Sequence, residues 1–254
     1  MTSLPSTPQV PSQILSAGIG IGANSFSRLF LFTTLAGFLG LIPVLYLALR
    51  VGDVTVTREV MDTARSGSWY LVEVLCLLAG VFIQGILLAR LDNLVQRTRT
   101  DFYNEWQRAL QALLPLILGS IVLICALIVG YVLLIVPGVI LTVTLAFFQY
   151  CVVLDHQGPI EGLNRSHTLV WGNWWRTFWV LILMLIVVVL IAVVLLVPFA
   201  LMLGVHPGVD TGRSLLVQGV LEMIAQAVFS PFIIAIMYVQ YNDLKMRHAL
   251  STGA

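Results

Sequence analysis

From Thr177 to Val209, and again from Ala109 to Leu154, no residue carries a formal charge. An α-helix rising 1.5 Å per residue needs roughly 20 apolar residues to cross about 30 Å of hydrocarbon. In that medium only helices and closed barrels satisfy their own backbone groups, and the short alternating segments of barrel strands are absent from this sequence. The chain therefore reads as an all-α integral membrane helical bundle. Composition agrees, with 59% of its 254 residues hydrophobic and 10% charged, against roughly 25% charged in a soluble domain.

Six spans run from charge to charge: Leu29–Leu49, Trp69–Ala89, Leu110–Val136, Gly138–Leu154, Thr177–Leu203 and Leu215–Gln240. Residues 28–247 form a single transmembrane domain on this reading, preceded by a flexible or interfacial segment, 1–27, and followed by a short tail, 248–254. The leading segment lacks the Lys or Arg of a cleaved signal, so the first span is read as retained. Its Gly18, Gly20 and Gly22 have neither the spacing nor the preceding strand of a dinucleotide-binding loop. Pro137 and Gly138 interrupt the apolar run between the third and fourth spans and predict a tight reversal. No charge marks that reversal, which suits a hairpin partly buried in the membrane.

The charges outside the spans predict an orientation. Arg28, Arg90, Arg97, Arg99, Arg108, Arg165, Arg176, Lys245 and Arg247 fall on the side of both termini, against Arg50, Arg58, Arg65 and Arg213 on the other. Both termini are accordingly expected to be cytoplasmic. Trp69 and Tyr70 mark one outer boundary, and Tyr103, Trp106, Trp171, Trp174, Trp175, Trp179, Tyr238 and Tyr241 mark inner ones.

Several function classes find no support. The net charge of +1 gives no field to draw nucleic acid, and the single lysine, Lys245, makes no polybasic tail. Cys76, Cys125 and Cys151 sit in apolar spans as small hydrophobes. His156, His167, His206 and His248 are scattered, and there is no nucleophile elbow or phosphate-cradling loop. The chain is read as non-enzymatic, with no catalytic residue, cofactor or metal expected.

Two stretches carry local polar variety. In "EGLNRSHTLVWGNWWRTFWV", Glu161 to Val180, residues Ile160, Leu163, His167, Val170, Trp171 and Trp174 recur at spacings of three and four, opposite Glu161, Arg165, Thr168 and Gly172. That pattern predicts an interfacial amphipathic helix with a Glu161–Arg165 pair at i, i+4. In the sixth span, Ser214, Gln218, Glu222, Gln226 and Ser230 make a strict i, i+4 polar stripe, and Pro231 frees the carbonyl of Ala227. A stripe of that kind is expected to turn away from lipid. Glu222, Gln218, Gln226, Glu73 and Gln84 are the intramembrane candidates, either as hydrogen bonds that hold helices together or as the lining of a pathway. At the cytoplasmic face the candidates are Glu161, Asn164, Arg165, Ser166, Asp243 and Arg247, with Asp243 expected to pair with Arg247, Arg165 or Arg176.

The run "VVLDHQGPIEGLNRSHTLVWGNWWRTF", together with "IVPGVIL" and the ending "SPFIIAIMYVQYNDLKMR", resembles the YciC-like bacterial inner-membrane proteins and the membrane domain of some glycerophosphodiester phosphodiesterases. The resemblance covers roughly Leu110 to Arg247 and implies a multi-pass fold in a bacterial inner membrane. It implies no hydrolase activity, because no soluble catalytic domain follows Arg247. The expected role is to bind or organise lipid or to stabilise a membrane complex, with membrane lipids, a membrane-protein partner or a second copy as partners. The alternative is a small transporter or channel with a polar pathway lined by Glu222, Gln218 and Gln226.

Overall fold

Long uninterrupted helices are the outcome wherever the apolar runs leave no water to satisfy the backbone. The computed structural model describes residues 4, 7–52, 58–65, 67–96, 98, 102–203 and 211–252. These residues run through α1 (Pro11–Val51), α2 (Arg58–Ala64), α3 (Gly67–Gln96), α4 (Phe102–Leu133), α5 (Ile135–Thr144), α6 (Phe148–Leu154), α7 (Pro159–Trp171), α8 (Trp174–Met202) and α9 (Gly212–Thr252), with no strand among them. The protein is an all-α, multi-pass membrane protein, with six helices long and apolar enough to cross a bilayer: α1, α3, α4, the pair α5–α6, α8 and α9. Arg97, Arg99 and His206 lie outside the described residues.

The chain divides into two units, one made of residues 1–29, 84–185 and 231–254, the other of 30–83 and 186–230. In the second unit α1 and α9 run side by side. Leu47, Val51 and Ala64 form a buried core on which Met61, Trp69 and Leu215 pack. The expected effect of Pro231 is realised here, because Thr33 Oγ1 donates to the freed Ala227 carbonyl at 3.1 Å.

In the first unit the N-terminal segment departs from expectation. Residues 11–27 are helical and continuous with the first span rather than a separate flexible lead-in. The glycines explain why. A Cβ at Gly18 would lie 2.6 Å from the Ile236 backbone and one at Gly22 would lie 2.9 Å from the Phe232 ring, so the small residues at i, i+4 let α1 and α9 approach closely.

The α4–α5 hairpin uses the same device. Its chain reversal falls on a single extended residue, Leu134, rather than on Pro137 and Gly138, which lie in the first turns of α5. Pro137 fits there because the first N–H groups of a helix lack intrahelical partners anyway. A Cβ on Gly130 would sit 3.1 Å from the Gly138 backbone, and Tyr131 Oη bonds Thr142 Oγ1 at 2.9 Å, so α4 and α5 lie antiparallel in close contact.

Between α5 and α6 the helix breaks for three residues, 145–147. Breaks at membrane depth survive only where protein groups take up the freed hydrogen bonds. Here buried Ser166 of α7 does so: its Oγ donates to the Thr144 carbonyl at 2.8 Å and accepts the Phe147 N–H at 3.2 Å.

Candidate functional site

Four carboxylates of the first unit are wholly or partly buried near helix ends, and each is engaged by cations or hydroxyls. Glu105 of α4 is fully buried and accepts Arg90 of α3 at 3.1 Å. Asp92 of α3 accepts Arg108 at 3.3 Å, Tyr238 Oη of α9 at 2.7 Å and Gln96 at 2.6 Å. Asp155, closing α6, accepts Lys245 at 2.7 Å and Tyr241 Oη at 2.6 Å. Asp243 of α9 accepts Arg247 at 2.8 Å, Arg176 of α8 at 3.1 Å and the Gln9 N–H at 2.6 Å. Charges are costly in hydrocarbon, so this ionic layer marks a membrane–water boundary where the ends of α1, α3, α4, α6, α8 and α9 are tied together. It is a clasp, with its carboxylates already committed to partners.

Of the expected pairings, Asp243 joins Arg247 and Arg176 but not Arg165. The Glu161–Arg165 pair does not form among the described residues; the Glu161 carboxylate folds back over Gly158 instead. Asp92, Glu105 and Asp155 are not among the expected site residues, although each is a carboxylate at the edge of an apolar run, where a charge needs a partner.

The α7 helix is amphipathic, and its packed face is the expected one only in part, at Leu163 and Val170. Gly162, Leu163, Ser166, Leu169 and Val170 are buried, while Ile160, His167 and Trp171 are exposed. The buried stripe is set by the close seat of Gly162 against Val152 and Phe148 and by the Ser166 hydrogen bonds. Exposed Glu161, Asn164 and Thr168 and half-buried Arg165 occupy the rest of its surface. Ser166, a cytoplasmic-face candidate, is thus a structural residue.

Where α7 gives way to α8 lies an apolar concavity. Trp171, Trp174 and Trp175 face Ile135, Val136, Val139 and Ile140 of α5 across a cleft of about 520 Å³. The indole N–H of Trp174 reaches the Ile140 carbonyl at 3.5 Å. Trp174 also stacks on Phe178 with ring centroids 5.3 Å apart, and His167 stacks on Trp171 at 5.0 Å. Such a slot offers apolar walls and broad rings with almost no hydrogen-bonding groups, a lining suited to a hydrocarbon chain.

The intramembrane candidates are not gathered into a site. Gln218, Glu222 and Gln226 are exposed on α9, whereas Ser214 is buried. The expectation that the stripe faces the protein interior is corrected. Gly219 takes the packed face because a Cβ there would lie 2.9 Å from Leu41 and Val44 of α1, and buried Ala227 gives its carbonyl to Thr33. Glu73 and Gln84 are half-buried on α3 and make no hydrogen bond among the described residues.

Residues 6–244 match a family described as a domain of unknown function (DUF7847). No curated protein and no solved structure matches the chain.

Proposed function

Because the chain belongs to the DUF7847 family, whose function is unknown, its own geometry is the guide, and we propose that it is a non-enzymatic lipid-binding protein of the cell membrane. The single observation that carries this reading is the Trp171–Trp174–Trp175 cleft against α5, set beside the ionic layer. The slot is sized and lined for an acyl chain, and tryptophans favour the headgroup boundary, with rings in hydrocarbon and N–H groups toward polar partners.

The test is quenching of tryptophan fluorescence by a phospholipid brominated along one acyl chain, in nanodiscs of otherwise ordinary phosphatidylcholine. The native protein should be quenched more strongly than the variant Val139→Trp, corrected for the added indole, because a bulky ring in the cleft wall displaces the chain. Equal quenching in the two would refute the reading.

A second reading is favoured by one observation, the exposed Gln218–Glu222–Gln226 row. Polar groups inside a bilayer seek polar partners rather than lipid, so the row supports contact with another membrane protein or a second copy. A transport pathway along these residues would need such a copy to enclose it. Cross-linking in native membranes through the substitutions Gln218→Cys and Gln226→Cys, one helical turn either side of Glu222 on the same face, reads this out, and a chain that stays monomeric and uncross-linked removes it.

A further inference from the structure

We propose that α4 and α5–α6, although each is long and apolar enough to cross a bilayer, do not cross it and instead form a hairpin immersed in one leaflet, whose partner is the acyl chains of that leaflet. Three distances within the first unit lead there. Helix α8 carries a single charged residue, Arg176, in its first turn, and Arg176 is bound to Asp243 in the ionic layer. The start of α8 is therefore at the membrane boundary.

Ile140 of α5 touches Trp174 in the first turn of α8, and Ile135 and Val136 share the cleft with Trp171 and Trp175. The hairpin tip, Leu134, is six residues beyond Ile140, about 9 Å of helix. With the indole side chain added, the tip lies within roughly 20 Å of the Trp174 backbone, whereas the far side of the hydrocarbon is about 30 Å away. Even an α5 aimed straight inward stops short.

The partner helix agrees. Helix α4 has 32 residues, about 48 Å of rise, and its start is held in the ionic layer by Glu105 and Arg108. Standing upright, it would carry Leu133 past the far boundary. Its Gly130 and Tyr131 instead meet Gly138 and Thr142 of α5, near the start of α8, so α4 runs obliquely along the boundary.

Helix α7 lies the same way. It begins four residues after Asp155 and ends five before Arg176, and both of those residues belong to the ionic layer. The surface this leaves is apolar where it must meet lipid: Val132, Leu133, Leu134, Ile135 and Val136 at the tip are each about 70–80% exposed, with no charge anywhere on the hairpin beyond Arg108.

The test inserts a Gly-Ser loop bearing one cysteine between Leu134 and Ile135 and compares it with Asn164→Cys on the exposed face of α7. Both are labelled with a membrane-impermeant maleimide from either side of sealed vesicles, with the native chain and its three cysteines as background. The inserted cysteine should be labelled from the same face as Asn164→Cys. Labelling from the opposite face overturns the proposal. Should the insertion fail to fold, Leu134→Cys serves: protection from the face opposite Asn164→Cys supports the hairpin, and labelling from that face overturns it. The inference goes beyond lipid occupancy of the cleft, which is read by quenching, so either can fail alone.

Discussion

Replacing Ser166 by alanine tests whether the most conspicuous polar residue of α7 is structural. Its hydroxyl is fully buried and joins two otherwise separate backbone groups, the Thr144 carbonyl at 2.8 Å and the Phe147 N–H at 3.2 Å. Without it both groups are orphaned inside packed protein. A buried unsatisfied group costs roughly 1–3 kcal/mol, while side-chain hydrogen bonds within membrane proteins average only about 0.6 kcal/mol because the unfolded state also finds partners. Two groups therefore bracket the loss between about 1 and 6 kcal/mol, and partial closure of the three-residue break places it near 2–4 kcal/mol. Equilibrium unfolding in mixed micelles, driven by SDS and followed by tryptophan fluorescence, measures it. The matched control is Thr168→Ala on the same helix, whose exposed hydroxyl bonds the Asn164 carbonyl and whose removal should cost under about 0.5 kcal/mol. If Ser166→Ala is no more destabilising than the control, the helix break does not depend on it and the account of α5–α6 is wrong.

Three further outcomes follow from the same contacts. Asp243→Asn leaves Arg176 and Arg247 facing a neutral amide. Removing one partner of a buried pair costs about 3–5 kcal/mol, and because the two guanidinium side chains keep 18% and 26% exposure, about 2–3 kcal/mol is expected in the same unfolding assay. His156 holds a left-handed φ of 52° where the chain leaves α6, with the Gln157 N–H bonded to the Cys151 carbonyl. His156→Gly relieves about 1 kcal/mol of that strain and gives back part in chain entropy, so stability should rise by about 0.5 kcal/mol; a fall would show that the imidazole is needed. Glu222→Gln, at an exposed position with no hydrogen bond among the described residues, should leave detergent stability within about 0.5 kcal/mol, and a larger loss would mean that Glu222 is buried by something in solution.

The fold was readable because its strongest signal is local: a long uncharged run dictates a helix whatever surrounds it. The boundaries failed where packing overrides the run. Gly18 and Gly22 lie in a segment expected to be flexible or interfacial, yet they are the residues that let α1 continue against α9. The face of α9, and part of the face of α7, failed for the same reason. Hydrophobicity marks the packed side of a helix in water, but in a bilayer both sides are apolar, and small residues such as Gly162, Gly219 and Ala227 choose the contact. Asp243 with Arg247 was readable as an i, i+4 pair, whereas the cations that engage Asp92, Glu105 and Asp155 lie on other helices and carry no signature of spacing. The Trp cluster was visible in the sequence, but its opposite wall, Ile135 to Ile140, became part of the site only through the turn at Leu134.

The orientation predicted from charge bears on the hairpin, because the two could have conflicted and do not. Crossing twice or not at all, α4 and α5–α6 contribute an even number of passages, so the sides of every other segment are unchanged. The connection between them carries no Lys or Arg, so the excess of positive charge on the side of the termini is also the same. A leaflet-immersed hairpin further accounts for that missing charge: a turn that reached the far water would gain from polar residues, whereas Leu133, Leu134, Ile135 and Val136 would expose their side chains there at a cost of roughly 1.5–3 kcal/mol for each one moved from hydrocarbon to water. Substituting Leu134 and Ile135 with serine separates the two placements. A tip in water should tolerate the change or gain stability, and a tip in hydrocarbon should lose several kcal/mol of membrane-state stability without losing helix content.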